Sequence, residues 1–299
     1  MALVTIGIPV YNEEKHLAET IESAINQEFT DINIVISDNG STDNSAEIIK
    51  YYSELDKRIR SIYLSKNIGP IGNFCSLLDN TTTKYFVILG GHDLFLSHYI
   101  GEAISFLEAN QDCVMSYPES RLVDGNDEIL QYTDSDIDSV GLNHLQRMTK
   151  VAANLSWCTC FHGVFRTDVI KQLPILNIRG SDHLLLFAAS YYGSIHWIRK
   201  LGILRRESHQ ESTEMTEERR IKAGVYSEPC KRFYNSWSVM AQEHLRFLFY
   251  GTNLSIQDKI SLSCSVASIF RHRFGVNLLS IAFSYADRKY QDISRNPNI

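Results

Sequence analysis

Short apolar runs alternate with amphipathic stretches through the first 120 residues. Residues 3–8, 33–37, 60–64, 85–89 and 113–117 are rich in Ile, Val, Leu, Phe and Tyr, and each is bounded by turn residues, which predicts strands. Between them, residues 13–26, 45–52, 72–78 and 98–109 carry apolar positions at helical spacing. Strands separated by single helices imply right-handed crossovers and a mostly parallel sheet. Asp124-Gly125-Asn126-Asp127 predicts a hairpin turn joining residues 121–123 to 128–132.

The rhythm loosens after that hairpin. Residues 142–153 and 182–192 read as helices, 161–165 as extended, and 194–198 and 202–204 as two short strands. Residues 207–220 are polar and carry no core positions, which suits a linker, a lid or an exposed helix start. From residue 221 the spacing is helical, with candidate helices near 221–250, 255–272 and 276–292. The pattern divides the chain into a core over 1–215 and a helical region over 216–299. Within the core, residues 1–120 keep the regular alternation and residues 121–215 follow the looser pattern.

Composition narrows the class. With 299 residues, 44% hydrophobic and 21% charged, the chain can bury a large core and is neither disordered nor fibrous. A net charge of −6 argues against nucleic acid as a partner. The six cysteines lack zinc-site or redox-pair spacing and read as buried reduced thiols. No signal peptide is visible, and no apolar run approaches the roughly 20 residues of a spanning helix. The expectation is a cytoplasmic chain. Its basic, apolar C-terminal helices pack on the core, form a homodimer or dock peripherally on the inner face of a membrane.

Three polar segments close successive predicted strands: Pro9-Val10-Tyr11-Asn12-Glu13-Glu14, Asp38-Asn39-Gly40-Ser41-Thr42-Asp43 and Gly90-Gly91-His92-Asp93. In a parallel sheet all three lie on one edge, where open α/β sheets bind ligands. No GxGxxG follows the first strand and no GxxxxGK[ST] occurs, which removes nicotinamide dehydrogenases and P-loop nucleotidases. A nucleotidyltransferase would need a Gly-rich basic loop after the first strand, and residues 9–14 offer none. Asp38 ends a strand, whereas Asp43 is placed to cap the next helix.

Ile8-Pro9-Val10-Tyr11-Asn12-Glu13-Glu14, Ser37-Asp38-Asn39-Gly40-Ser41-Thr42-Asp43 and Asn67-Ile68-Gly69 together resemble the N-terminal signature of the family-two glycosyltransferases. The resemblance covers residues 3–120 strongly and 160–210 weakly. It implies a GT-A, Rossmann-like α/β fold with a mixed, mostly parallel sheet flanked by helices and a C-terminal helical extension. It also implies transfer of a sugar, with inversion, from a nucleotide-diphosphate sugar to a saccharide or lipid-linked saccharide acceptor in surface-polysaccharide or glycoconjugate assembly. On that resemblance Pro9, Tyr11, Glu13, Asp38, Asn67 and Gly69 hold the nucleotide, with Tyr11 either stacking on the base or packing on the following helix. The basic residue that relatives carry after the NxG segment is replaced by Gly72-Asn73-Phe74, with Lys66 as a substitute.

Gly90-Gly91-His92-Asp93 stands where relatives carry DxD, so the motif is reduced to one carboxylate. Asp93 would hold a divalent ion, Mn or Mg, and His92 would ligate it or contact the sugar phosphate. A catalytically inactive GT-A-fold nucleotide-binding or scaffold protein is the alternative that this thinning raises. Asp182, in Gly180-Ser181-Asp182-His183, matches the general base or else caps a helix, and His183 reads as a packed or surface residue. Arg205-Arg206-Glu207-Ser208-His209 resembles the basic segment after the last core strand, with His209 a candidate for metal or phosphate. Trp157 and Phe161-His162-Gly163 lie where relatives meet the acceptor.

Overall fold

The computed structural model describes residues 2–124, 128–132, 137–155, 158–178, 180–206 and 237–276. His209, Trp157, the polar tract from 207 and the candidate helix over 276–292 lie outside the described residues, apart from residue 276. A nine-stranded sheet organises the rest, in the order β3-β2-β1-β4-β8-β6-β9-β5 with β7 attached to β6. Its strands are β1 (Val4–Val10), β2 (Ile32–Asp38), β3 (Ile59–Tyr63), β4 (Tyr85–Ile88), β5 (Leu94–Phe95), β6 (Cys113–Val123), β7 (Ile129–Tyr132), β8 (Val164–Arg166) and β9 (Ser194–Arg206). β3, β2, β1 and β4 run parallel, as do β6 and β9; β8, β7 and β5 pair antiparallel. This is the mixed α/β architecture expected from the sequence.

The crossover helices are α1 (Leu17–Ile25), α2 (Ser45–Leu55), α3 (Gly69–Asp79) and α4 (Tyr99–Ala109). Then come α5 (His144–Asn154), α6 (Thr167–Ile170), α7 (Ser181–Tyr192), α8 (Trp237–Tyr250) and α9 (Ile256–Phe274). Because β1 and β2 are buried on both faces, they read as nearly continuous apolar runs. One core packs α1, α2 and α4 against the sheet. The other joins α3, α5 and α7 to α8 and α9, so the C-terminal helices share a core with the second half of the sheet's flanking helices.

Two expectations change between residues 158 and 206. Residues 161–165 are not one extended run: a 3₁₀ turn over Thr159–His162 precedes β8. Cys158 starts the turn at φ 50°, and Phe161 and Gly163 donate backbone hydrogen bonds to the Cys158 and Cys160 carbonyls. The two short strands over 194–204 are a single strand, β9, because pairing with β6 continues past the polar residues 199–200 through bulges near Pro118 and Glu119. The thiols also differ from expectation. Cys113 and Cys160 are buried, but Cys75 and Cys158 are only partly covered and Cys264 is exposed on α9.

Candidate active site

β1, β2 and the β4–β5 connection deliver the three polar segments to one edge. Side chains lace the first two together. Asn12, at φ 57°, accepts from the Thr42 amide at 2.8 Å, while its own amide donates to Ser41 Oγ. Glu13 N–H donates to Ser45 Oγ, and Glu14 accepts from Asn44 Nδ2 at 2.7 Å. Asp43 Oδ1 accepts from the Ser45 amide at the start of α2, and Oδ2 accepts from the Glu14 amide. Net, those hydrogen bonds hold its carboxyl below the usual range against the opposing effect of burial. The N-cap of α2 is Asn44, so Asp43 is not the cap; from the position before it, Asp43 takes the first helical amide and ties two loops.

Asp38 ends β2, is 4% exposed and accepts from the Ser41 amide at 3.0 Å. Pro9 lies level with Ser37 one strand over, and Tyr11 stands out from the turn at 37% exposure. Asn39, which sequence reasoning left out of the site, organises the third element. Its Nδ2 donates to Asn67 Oδ1 and the Gly69 carbonyl, and its Oδ1 accepts from the Ile68 amide. The signal was its chemistry: an amide donates and accepts at once, which a carboxylate cannot do. Asn67 Oδ1 also accepts from the Gly69 amide at 2.8 Å, fixing the start of α3.

At the β4–β5 connection, His92 Nδ1 lies 3.0 Å from Glu13 Oε1, and Nε2 lies 3.9 Å from Asp93 Oδ1. Burial works to lower the His92 pKa, but the Glu13 hydrogen bond and the Asp93 and Glu13 charges outweigh it and raise it. Asp93 is 3% exposed, and its Oδ1 accepts from the Arg206 amide of β9 at 3.0 Å. A Cβ on Gly90 would stand 2.5 Å from Asp93 Oδ2, so glycine is what lets this carboxylate fold back over the turn.

His162 faces Asp93 from the 3₁₀ turn. Its Nδ1 lies 3.1 Å from the Ile88 carbonyl and must be the donor there. Nε2, 3.9 Å from Asp93 Oδ2, is then an acceptor in the neutral ring. Burial foremost, then the Arg205 charge, pushes His162 down to about 4. Two acceptors facing each other across 3.9 Å suit a bridging cation or donor. Among the described residues no group of three or more His, Cys, Asp or Glu forms a ready cage. This donor pair therefore fits only an ion whose other ligands come with the substrate.

Asp182 lies elsewhere, on the first turn of α7. Gly180 is the N-cap at φ 71°, so Asp182 is not the cap; it is the second helical residue, with Oδ1 accepting from the His183 amide. It borders a cavity of about 230 Å³ together with Pro70, Ile71 and Phe74 of the α3 start, Phe161, Ile178 and Leu185. Phe161 borders this cavity and its neighbour His162 faces Asp93, so the 3₁₀ turn links the two carboxylates. The Cys158 thiol is pushed up, first by burial and then by the Asp182 charge.

His183 is packed, with Nδ1 2.9 Å from His244 Nε2 on α8. Because His244 Nδ1 donates to the Met240 carbonyl, His244 Nε2 accepts and His183 Nδ1 is the donor. It takes no part in the site.

The sequence profile of the family described as Glycosyl transferase family 2 matches residues 5–173. An uncharacterized glycosyltransferase of Haemophilus influenzae is 31% identical over 188 residues, 61% of this chain and 70% of that protein. A putative teichuronic acid biosynthesis glycosyltransferase, TuaG of Bacillus subtilis, is 25% identical over 115 residues, 38% of this chain and 45% of that protein. Among solved structures, S. aureus TarS 1-349 in complex with UDP-GlcNAc superposes with a TM-score of 0.68 at 15% identity, covering 96% of this chain and 80% of that one.

Proposed function

Because the chain belongs to glycosyl transferase family 2, we propose that it moves a sugar from a nucleotide diphosphate to an acceptor hydroxyl, with inversion, at the sheet edge described above. Residues 1–120 form the donor half and 121–215 the acceptor half, and in the C-terminal region from 216 the described helices α8 and α9 support the acceptor half. The observation that carries the reading is convergence: the β1 and β2 ends, the Asn67–Gly69 segment and Asp93 form one polar edge, joined through the Phe161–His162 turn to Asp182.

Asp38, Asn67 and the start of α3 receive the base and ribose, and Tyr11 offers its exposed ring as a stacking surface. Asp93 Oδ2, with His162 opposite, would hold a divalent ion that offsets charge on the diphosphate oxygens. Asp182 takes the acceptor hydroxyl proton as that oxygen bonds to the anomeric carbon and the bond to the diphosphate breaks. The nucleoside diphosphate leaves on the opposite face, which inverts the centre.

The TuaG and TarS likenesses support a uridine nucleotide donor and a role in surface-polysaccharide assembly. Phe249, Tyr250, Ile256 and Ile260 are exposed where α8 meets α9. This patch would rest on the inner face of a membrane carrying a lipid-linked saccharide. Asp182→Asn tests the central role. Transfer should be abolished while calorimetry with UDP, GDP and TDP, with and without Mn, gives donor affinity within about twofold of wild type; full transfer activity overturns the assignment.

A further inference from the structure

The cavity beside Asp182 has a lopsided chemistry. Pro70, Ile71, Phe74, Phe161, Ile178 and Leu185 make its walls apolar, and its polar groups are Asn177, Ser181 and Asp182. Ser181 and Asp182 stand together at the α7 start, where Ser181 Oγ accepts from the Leu176 amide and Asp182 Oδ1 from the His183 amide, so the polar capacity is confined to that one side. A fully hydroxylated sugar edge pushed into these walls would strand its hydroxyls without partners. A methyl group would instead bury apolar surface against two aromatic rings and the aliphatic side chains of Pro70, Ile71, Ile175, Ile178 and Leu185. With about 230 Å³, the space takes a substituent and one ring edge rather than a whole oligosaccharide.

We infer that the sugar bound against Asp182 carries a methyl-bearing substituent, an acetamido group or a 6-deoxy carbon, and that this cavity selects for it. The inference rests on Asp182 standing at the reacting centre. The methyl group can belong to the donor sugar or to the acceptor, and the two sources are separable by experiment.

Saturation-transfer NMR on the full chain, with competition titrations, provides the test. One arm uses nucleotide-linked glucose, N-acetylglucosamine, galactose, N-acetylgalactosamine and their 6-deoxy counterparts. The other uses the methyl glycosides of the same sugars with UDP present. In one arm a methyl-bearing member should bind about 10-fold or more tightly than its hydroxylated partner. Its N-acetyl or C6 methyl should receive the strongest saturation. Ile71→Trp fills the cavity from the half-buried face of α3 and should abolish that preference.

Equal binding of methyl-bearing and hydroxylated partners in both arms overturns the inference, as does a preference that survives Ile71→Trp in folded protein. No binding in either arm, with UDP itself still bound, also overturns it. Full transfer activity in Asp182→Asn, or failure to bind UDP, GDP and TDP alike, would instead sink the proposed function on which the inference rests, a distinguishable result.

Discussion

Gly180→Ala tests how the C-terminal helices hold the proposed base. Gly180 sits at φ 71°, and a Cβ there would lie 2.0 Å from Met240 Sδ and 3.3 Å from its Cγ. An L-residue in this left-handed conformation costs about 1–2 kcal/mol. Met240 is fully buried on α8, so displacing its thioether is overpacking, worth about 1–3 kcal/mol. The expected loss is therefore about 2–5 kcal/mol, read as a fall in the urea midpoint at unchanged slope. A cycle with Met240→Ala separates the two contributions. The double variant should recover about 1–3 kcal/mol relative to additivity, because the shortened side chain makes room for the new methyl. A Gly180→Ala variant within about 0.5 kcal/mol of wild type would refute the argument, and strict additivity would remove Met240 from it. Asp182 lies two residues on, so transfer should fall more than donor affinity.

Other consequences can be checked with the same material. Asp93→Ala should weaken Mn-linked UDP binding by tenfold or more in calorimetry; because it also strands the buried Arg206 amide, stability should fall by about 1–3 kcal/mol. Arg166→Met should cost about 3 kcal/mol or more in chemical denaturation, since this buried guanidinium serves the Cys113, Leu107 and Asn110 carbonyls and the Tyr85 hydroxyl. Burial lowers His244 from 6.5 to about 4, so between those pH values the unfolded chain binds a proton that the folded chain does not. Stability should accordingly rise with pH across that window and plateau above it, with about 3 kcal/mol from this residue; an unchanged slope in His244→Phe would rule that contribution out.

The fold of the first 120 residues was legible because its determinants are local. Apolar runs such as Ile34-Val35-Ile36 mark strands buried on both faces, and Asp38 and Asn67 stand in short motifs beyond strand ends, although the bonds by which Asn39 joins those motifs were not read. Residues 137–206 are held by pairings that no short window contains. Arg166 reads as a surface charge ending a strand, yet it is buried under carbonyls more than fifty residues away in sequence. The 3₁₀ turn that aims His162 at Asp93 begins at a cysteine in the left-handed region, for which the residue type gives no warning.

The C-terminal helices carry this reasoning furthest. By composition they are an appendage, but Met240 of α8 occupies the space a side chain at 180 would need, and His244 receives the hydrogen bond of His183 from 61 residues away. Both contacts fall on the first turn of α7, on either side of Asp182. Gly180 therefore has two reasons to be glycine, a positive φ and a neighbour in its Cβ position, and only the first could be guessed from a glycine before a helix. The carboxylate proposed as base is thus held by a segment that the first half of the chain does not contain. Loosening the packing of α8 should consequently act on acceptor chemistry before it acts on the nucleotide edge, whose hydrogen bonds close among residues 9–93 and Arg206.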